Sequence, residues 1–415
     1  MKPRLAIIGS GCAGLSAAWH ARHRLDVTLF ERNALLGGDA LTFMVPNGPD
    51  AGLPLDLGFM VCNERNYPTF LGVAAELSVR LQEIEMSFSF STPEGDTDYA
   101  LNLQPGASEP KKPSRYLLKM LPEILRFCEQ AEKDHLAGHV GDLSLGEYLQ
   151  HLKVSPDVRD SYIIPMAAAI WSAPASKISG FPARTWLHFY FNHGLLSLKN
   201  VPRWFSIQGG SRSYVERIAS AIPLVKKGCA VRSVTVHADR VDITTELGNS
   251  SFDYVLFAVH GDQVLALYRN PVASLAQAFQ VWRYEKNEAV LHWDTQVLPK
   301  DAQHWASWNY VVEEQEGRSL SCNYDLCHLQ AHKKTQNRYL LSLNRKGPIE
   351  SSKVIQTFSF EHPIFDAASV GSQETILAAN GQSRAYFAGA YLANGFHEDG
   401  FLTGKMAVER LLERI

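Results

Sequence analysis

At 415 residues, 46% apolar and 20% charged, the chain has the balance of a globular protein and is long enough for more than one core. A formal net charge of −3 leaves no electrostatic footprint for nucleic acid. The longest apolar run, Ile163 to Trp171 with Pro165 inside it, is well short of the roughly 18 residues of a membrane span.

The six cysteines are scattered without a disulfide framework, which implies reduced thiols in a cytoplasmic protein. Cys322, Cys327 and His328 do not have zinc spacing, so no metal is expected.

In chain order, Leu5–Ile8 reads as a buried strand that runs into Gly9, Gly11 and Gly14, a G-x-G-x-x-G turn opening a helix. The first glycine permits the tight turn, the second lets backbone approach a pyrophosphate, and the third lets helix and strand pack closely. Free N–H groups and the positive dipole end would hold the phosphates. Asp26–Glu31 is the next strand, and Glu31 stands where a carboxylate binds a ribose diol and disfavours a 2′-phosphate. Strand, glycines, helix, strand and terminal acid in that order predict dinucleotide binding.

Pro105 to Pro113 reads as a linker. The segment Lys111–Cys128 is amphipathic, with Leu117, Leu121, Ile124, Leu125 and Cys128 at helical spacing and Arg115, Lys119 and Arg126 on another face. Pro122 is expected to start or kink that helix. It is either a solvated surface helix or a basic one that docks on anionic lipid at the inner membrane face. Aromatic residues gather in two groups: Trp171, Phe181, Trp186, Phe189, Tyr190, Phe191 and Trp204, then Trp282, Trp293, Trp305, Trp308 and Tyr310. Such density favours a large apolar cavity.

Between these groups, Gly209-Gly210 precedes a helix expected over Tyr214–Ala221. Period-two alternation predicts strands at Ala230–His237 and Arg240–Thr245, with a turn at Asn249-Ser-Ser, and Asp253–Val259 reads as a buried parallel strand. Arg384–Ala390 is a closing strand, and Gly395-Phe-His-Glu-Asp-Gly400 leads into a terminal helix expected over Phe401–Leu412.

Gly37-Gly38-Asp39 through Thr42, Leu55–Phe59, the Gly209–Gly210 block and the closing strand together resemble the amine oxidase and carotenoid desaturase superfamily of FAD enzymes. The resemblance implies an α/β Rossmann-type FAD-binding domain, 1–84, 204–259 and 385–415, with an inserted substrate-binding domain, 85–203 and 260–384. It implies cofactor contacts at Gly9, Ser10, Gly11, Cys12, Ala13, Gly14, Glu31, Arg32, Gly37, Gly38, Asp39 and Thr42. Val231, Gly389, Ala390, Phe396, His397 and Glu398 complete that set. Asp39 departs from the superfamily, which often has arginine there.

Further blocks are similar to one bacterial subgroup of FAD-dependent oxidoreductases encoded beside methyltransferases that resemble cyclopropane-fatty-acid synthase. They include Leu57–Asn63 with Tyr67-Pro68, Ala169–Ser172, Asn192–Leu195, Leu291–Asp294 and Trp305–Tyr310. The subgroup is also similar to a bacterial polyunsaturated fatty acid isomerase. These resemblances imply allylic hydride abstraction from an unsaturated, methyl-branched or phospholipid-linked fatty acyl chain, giving a further C=C bond. The alternatives are double-bond isomerisation, an amine or carotenoid-type oxidase, and a non-catalytic flavin-binding protein.

No second G-x-G-x-x-G offers a nicotinamide site, so electrons would leave to oxygen, a quinone or a protein acceptor. His397 is the leading candidate for proton transfer, because an unperturbed histidine titrates near working pH. Glu398 shares its segment, and the alternative is that His397, Glu398 and Asp399 cap the final helix. Tyr67, Trp171, His292 and Tyr310 are further pocket candidates.

Overall fold

The computed structural model describes residues 2–102, 111–171, 175–196, 201–313, 320–332 and 334–415, without the side chains of Ala169 and Ala175. Residues 105–110 of the expected linker, and Ser172, lie outside it.

A five-stranded parallel sheet runs in the order Leu224–Lys226, Asp26–Phe30, Arg4–Ile8, Tyr254–Phe257, Ala385–Phe387. Its central strands are nearly all apolar, as burial on both faces demands. The first strand hands the chain to the helix Cys12–Ala21, whose N-cap, Gly11, supplies no side-chain hydrogen bond. The helix therefore opens with bare N–H groups.

The terminal helix, His397–Leu412, lies against that first helix and begins one turn earlier than expected. Asp399 folds back to accept the Phe396 N–H at 2.8 Å, capping the extra turn. The terminal helix meets the first one through two glycines, which carry no side chain into the seam. A Cβ at Gly400 would stand 2.2 Å from Cys12 Sγ, and one at Gly404 would stand 2.3 Å from the Ala13 carbonyl oxygen. Ser16 Oγ donates across the same seam to the Phe401 carbonyl at 2.6 Å.

An antiparallel meander follows, Val231–Val236, Val241–Thr245 and Gly248–Phe252. The turn expected at Asn249-Ser-Ser is instead its third strand; the chain reverses at Glu246 and Leu247. Short polar side chains serve there because the strand is an exposed edge.

A seven-stranded sheet roofs the other half of the molecule, in the order Val354–Pro363, Tyr284–His292, Leu340–Leu343, Leu320–Asp325, Trp308–Val312, Ser87–Ser91, Tyr99–Asn102. Cross-strand register aligns Phe88, Trp308, Tyr324 and Leu341 on one face and Ser89, Asn309, Asn323 and Ser342 on the other. The first face lines a cavity.

The helices Ile164–Trp171 and Ala183–Asn192 cover that cavity, and the long helix Arg115–Ala137, basic only in its first half, packs on the second of them. Pro122 neither starts nor ends the basic helix but lies inside it, on the exposed side. Leu117 is buried, and the leucines of this helix that face water are Leu118, Leu125 and Leu136, 52%, 43% and 68% exposed. Among the described residues no helix is long and apolar enough to cross a membrane.

The helix seam yields a test. Gly404→Ala places its methyl against backbone that cannot swing aside, and should cost about 1–3 kcal/mol or more in chemical unfolding. Gly371→Ala, in an exposed helix interior with nothing within 4 Å of the added carbon, should be neutral or gain up to about 1 kcal/mol. Equal effects of the two substitutions would overturn the account of the seam.

Candidate active site

The glycine turn is shaped by backbone needs. Gly9 has φ +101°, and a Cβ there would stand 2.4 Å from the Ala258 carbonyl oxygen. A Cβ at Gly14 would stand 1.9 Å from the Gly9 oxygen. Gly14 thus acts in helix–strand packing and does not line the cavity.

Glu31 ends the second strand with its carboxylate fixed. The Ser10 N–H and hydroxyl donate to Oε2 at 3.0 and 2.7 Å, and the Asn33 N–H donates to Oε1 at 2.8 Å. Ser10, Gly11, Cys12, Ala13, Arg32 and Val231 line the same end of the cavity. Gly38, at φ +59°, brings its backbone over Gly11, and Asp39 follows it on the wall.

Thr42 is off the wall. Its hydroxyl donates to Asp56 at 2.5 Å and accepts the Arg212 N–H at 2.9 Å, tying the double-glycine loop to the Gly209–Gly210 turn. Asp56 also accepts the Ser211 N–H, and burial pushes its carboxyl up to about 6.

The cavity, about 650 Å³, runs from this end past Gly389, Ala390, Phe396 and His397 to the apolar face of the large sheet, with Tyr67 and Trp171 in its wall. That volume is within the usual range of cofactor and ligand sites. The bare helix end, the open space beside Gly11 and the oriented Glu31 fit an FAD. Gly9 through Ala13 would face its phosphates, and Glu31 the adenosine ribose.

The proton-transfer candidates need revision. His397 lines the cavity, but its ring stacks on Phe59 with centroids 3.6 Å apart, and Nε2 meets the Tyr214 hydroxyl at 3.1 Å. Burial drives its pKa down to about 3, so it stays neutral at working pH. Glu398 is turned away from the cavity and accepts the Thr69 and Phe70 N–H groups at 2.8 and 2.9 Å, capping the helix Pro68–Glu76.

His292 and Tyr310 are also off the wall. His292 falls on the opposite face of the sheet, where Nδ1 accepts the Asp294 N–H at 3.0 Å and Nε2 donates to Ser342 Oγ at 2.8 Å. Tyr310 shares the Trp308 face by alternation but is buried one pleat further along.

The structure also places in the wall residues that the sequence did not single out as individual site candidates. Phe59 and Phe189 line the wall, as does His193, which lies inside the Asn192–Leu195 block. Spacing alone does not distinguish these rings from core. His260, stacked on Tyr284 with centroids 4.3 Å apart, and the neighbouring Glu361 and His362 line the wall as well.

His292 sets up a pH test. Its pKa falls from 6.5 to about 4 because burial disfavours the charged ring. Below 6.5 the unfolded chain takes up a proton that the folded chain refuses, so acidification removes about 1 kcal/mol of stability per pH unit through this group. His292→Gln should be less stable than the parent near neutrality, and the gap should shrink toward pH 4. Urea unfolding across that range checks it; a constant gap would show that burial does not lower the proton affinity of His292.

The sequence profile of flavin-containing amine oxidoreductases matches residues 12–325. Among solved structures, putrescine oxidase bound to putrescine aligns over 100% of both chains at 13% identity, with a TM-score of 0.71. Cyclohexylamine oxidase from Brevibacterium oxydans aligns over 100% of this chain and 99% of its own at 14% identity, with a TM-score of 0.71. A fatty acid isomerase from P. acnes that produces CLA aligns over 98% of both chains at 14% identity, with a TM-score of 0.70. At these identities the likeness is one of fold. No curated protein sequence matches the chain significantly.

Proposed function

Because the chain belongs to the flavin-containing amine oxidoreductase family and its cofactor is FAD, we propose that it oxidises an unsaturated fatty acyl chain, abstracting an allylic hydride to form a further C=C bond. The observation that carries this reading is the segregation of charge along the cavity. The acids of its described wall are Glu31, Asp39 and Glu361. Glu31 and Asp39 flank the glycine turn, and Glu361 pairs at 3.8 Å with His260, two residues beyond Ala258 at that same turn. The other half is walled by Met166, Ile170, Trp171, Phe189, Trp308 and Tyr324.

An ammonium entering that half would lose its water with no carboxylate to pair with, a cost of several kcal/mol. An acyl chain gains about 0.8 kcal/mol for each methylene it buries there. A fatty acid isomerase shares this fold with putrescine oxidase and cyclohexylamine oxidase, so the fold is compatible with an acyl substrate as well as an amine.

Bound FAD would supply the hydride acceptor. The chain's own residues do the rest. Phe88, Trp308 and Tyr324 on the sheet, and Ile170, Trp171 and Phe189 on the helices, hold the acyl chain extended between them and exclude water. The N-terminus of the terminal helix, at Phe396 and His397, presents its positive end to the cavity and favours negative charge there.

Anaerobic mixing of FAD-loaded protein with oleoyl or linoleoyl phospholipid should bleach the flavin and leave it bleached. The recovered acyl chain should be lighter by two hydrogens. Bleaching that reverses without a mass change would identify an isomerase. Reduction by amines alone would identify an amine oxidase, and no reduction by any substrate a binding protein.

We also propose that the basic first half of the helix Arg115–Ala137, with Lys111 and Lys112 before it, docks the protein on anionic membrane. Lys112, Arg115, Lys119 and Arg126 are exposed beside Leu118 and Leu125; Glu123 and the Asp157 carboxylate, 2.9 Å from Lys119, offset part of that charge, and Glu129, Glu132 and Asp134 lie in the other half of the helix. Each basic residue contributes roughly 1 kcal/mol near such a surface. Replacing Lys111, Lys112, Arg115 and Lys119 by Ser should weaken binding to phosphatidylglycerol vesicles at least tenfold at low salt and leave FAD content unchanged. Unaltered vesicle binding would leave this an ordinary surface helix.

A further inference from the structure

His193 closes the helix Ala183–Asn192 and stands in the apolar half of the cavity wall. Its Nδ1 lies 2.9 Å from the carbonyl oxygen of Phe189, one turn back. A carbonyl only accepts, so Nδ1 carries the proton of the neutral ring and Nε2 keeps its lone pair. Among the described residues nothing bonds to Nε2, and it is not among the sealed, unpartnered buried atoms.

The ring is held in place. It stacks on Phe189 with centroids 3.7 Å apart, and lies 6.1 Å from Phe396 and 6.3 Å from Trp204. Phe396 itself stacks on Phe189 at 4.4 Å and immediately precedes His397. The ring therefore stands where the apolar half of the cavity meets the start of the terminal helix.

Tyr67 also lines that part of the wall, but burial pushes its hydroxyl well above the usual value, so it keeps its proton and is no base; the other acid–base groups there are engaged. His397 Nε2 meets the Tyr214 hydroxyl, Glu398 holds the Thr69 and Phe70 N–H groups, and Asp399 holds the Phe396 N–H.

We propose that His193 Nε2 is the proton acceptor in acyl-chain oxidation. The inference rests on the acyl-chain reading above. One allylic C–H bond breaks with its electron pair passing to the oxidised flavin as hydride. The C–H bond on the adjoining carbon breaks with its electrons forming the new C=C bond, and its proton goes to Nε2. The acyl chain loses two hydrogens, the flavin gains a hydride, and His193 becomes imidazolium. That charge is stabilised through the Nδ1–H bond to the Phe189 carbonyl and the stacked Phe189 ring.

Burial lowers the affinity of the ring for a proton to about 4, which keeps Nε2 free to accept at working pH. A base this weak is enough, because a C–H bond beside an allylic cation is strongly acidic.

The test compares FAD-loaded parent and His193→Gln by anaerobic stopped-flow with linoleic acid micelles. The variant should keep its FAD content and visible spectrum while flavin reduction slows about 10²–10⁴-fold. In His193→Gly, added imidazole should restore much of the rate, which a merely structural role would not allow. Long-range ¹⁵N spectra of the parent should show the proton on Nδ1.

If the parent reduces its flavin and His193→Gln does so equally fast, or if the proton lies on Nε2, the assignment fails while the acyl reading stands. If no acyl chain reduces the parent's flavin, the acyl reading fails and takes this assignment with it.

Discussion

The structure turns on two glycines that carry no side chain into the seam where the first and last helices touch. Gly400 and Gly404 advance along the terminal helix as Cys12, Ala13 and Ala17 advance along the first, so the two helices run in the same direction at backbone contact. Both N-termini consequently open at the cavity, one at Gly11 and one at Phe396. Two parallel dipoles with their positive ends together repel each other. An anionic cofactor placed at those ends converts the repulsion into binding, and this explains why the site needs both ends of the chain.

Cys12 shows how that constraint acts on chemistry. A thiol at a helix N-terminus usually has a lowered pKa and is reactive. Here burial and the nearby charge of Asp39 push it up to about 12, so it stays a protonated, inert thiol. The residue between the glycines thus fills the seam against Gly400 without adding a negative charge beside the phosphates.

Much of the cofactor half was legible because its chemistry is written in backbone requirements. Gly9, Gly14 and Gly38 meet neighbours that a Cβ would strike, and glycine spacing is visible without coordinates. Glu31 was equally readable, since a strand end fixes where its carboxylate points. The catalytic half was less so. His292 and Trp308 both belong to aromatic or histidine-bearing sheet segments, yet strand pairing puts them on opposite faces. Glu398 follows a helix start, as a cap would, but it caps a different helix some 330 residues earlier in the chain (Thr69 and Phe70). Such long-range pairings depend on register and packing, which local periodicity does not encode.

The polar face of the large sheet explains why the opposite face can remain apolar and open. Ser89 donates to Asn309 at 2.9 Å, Asn309 donates to the Asn323 carbonyl at 3.1 Å, and Ser342 donates to Asn323 at 2.5 Å, with His292 feeding Ser342. Each buried polar group in the row is satisfied by a neighbour on the same face, so none needs water or a partner from the cavity side. The row is self-consistent only if His292 is neutral with its proton on Nε2, because Nδ1 already accepts from Asp294. His193 is the mirror case: its proton is fixed on Nδ1 by Phe189, and the unprotonated nitrogen is left over. Two buried histidines of similarly lowered basicity therefore differ in what they can do. Neither burial nor pKa separates them; what separates them is which nitrogen the backbone claims and which face of the protein receives the other.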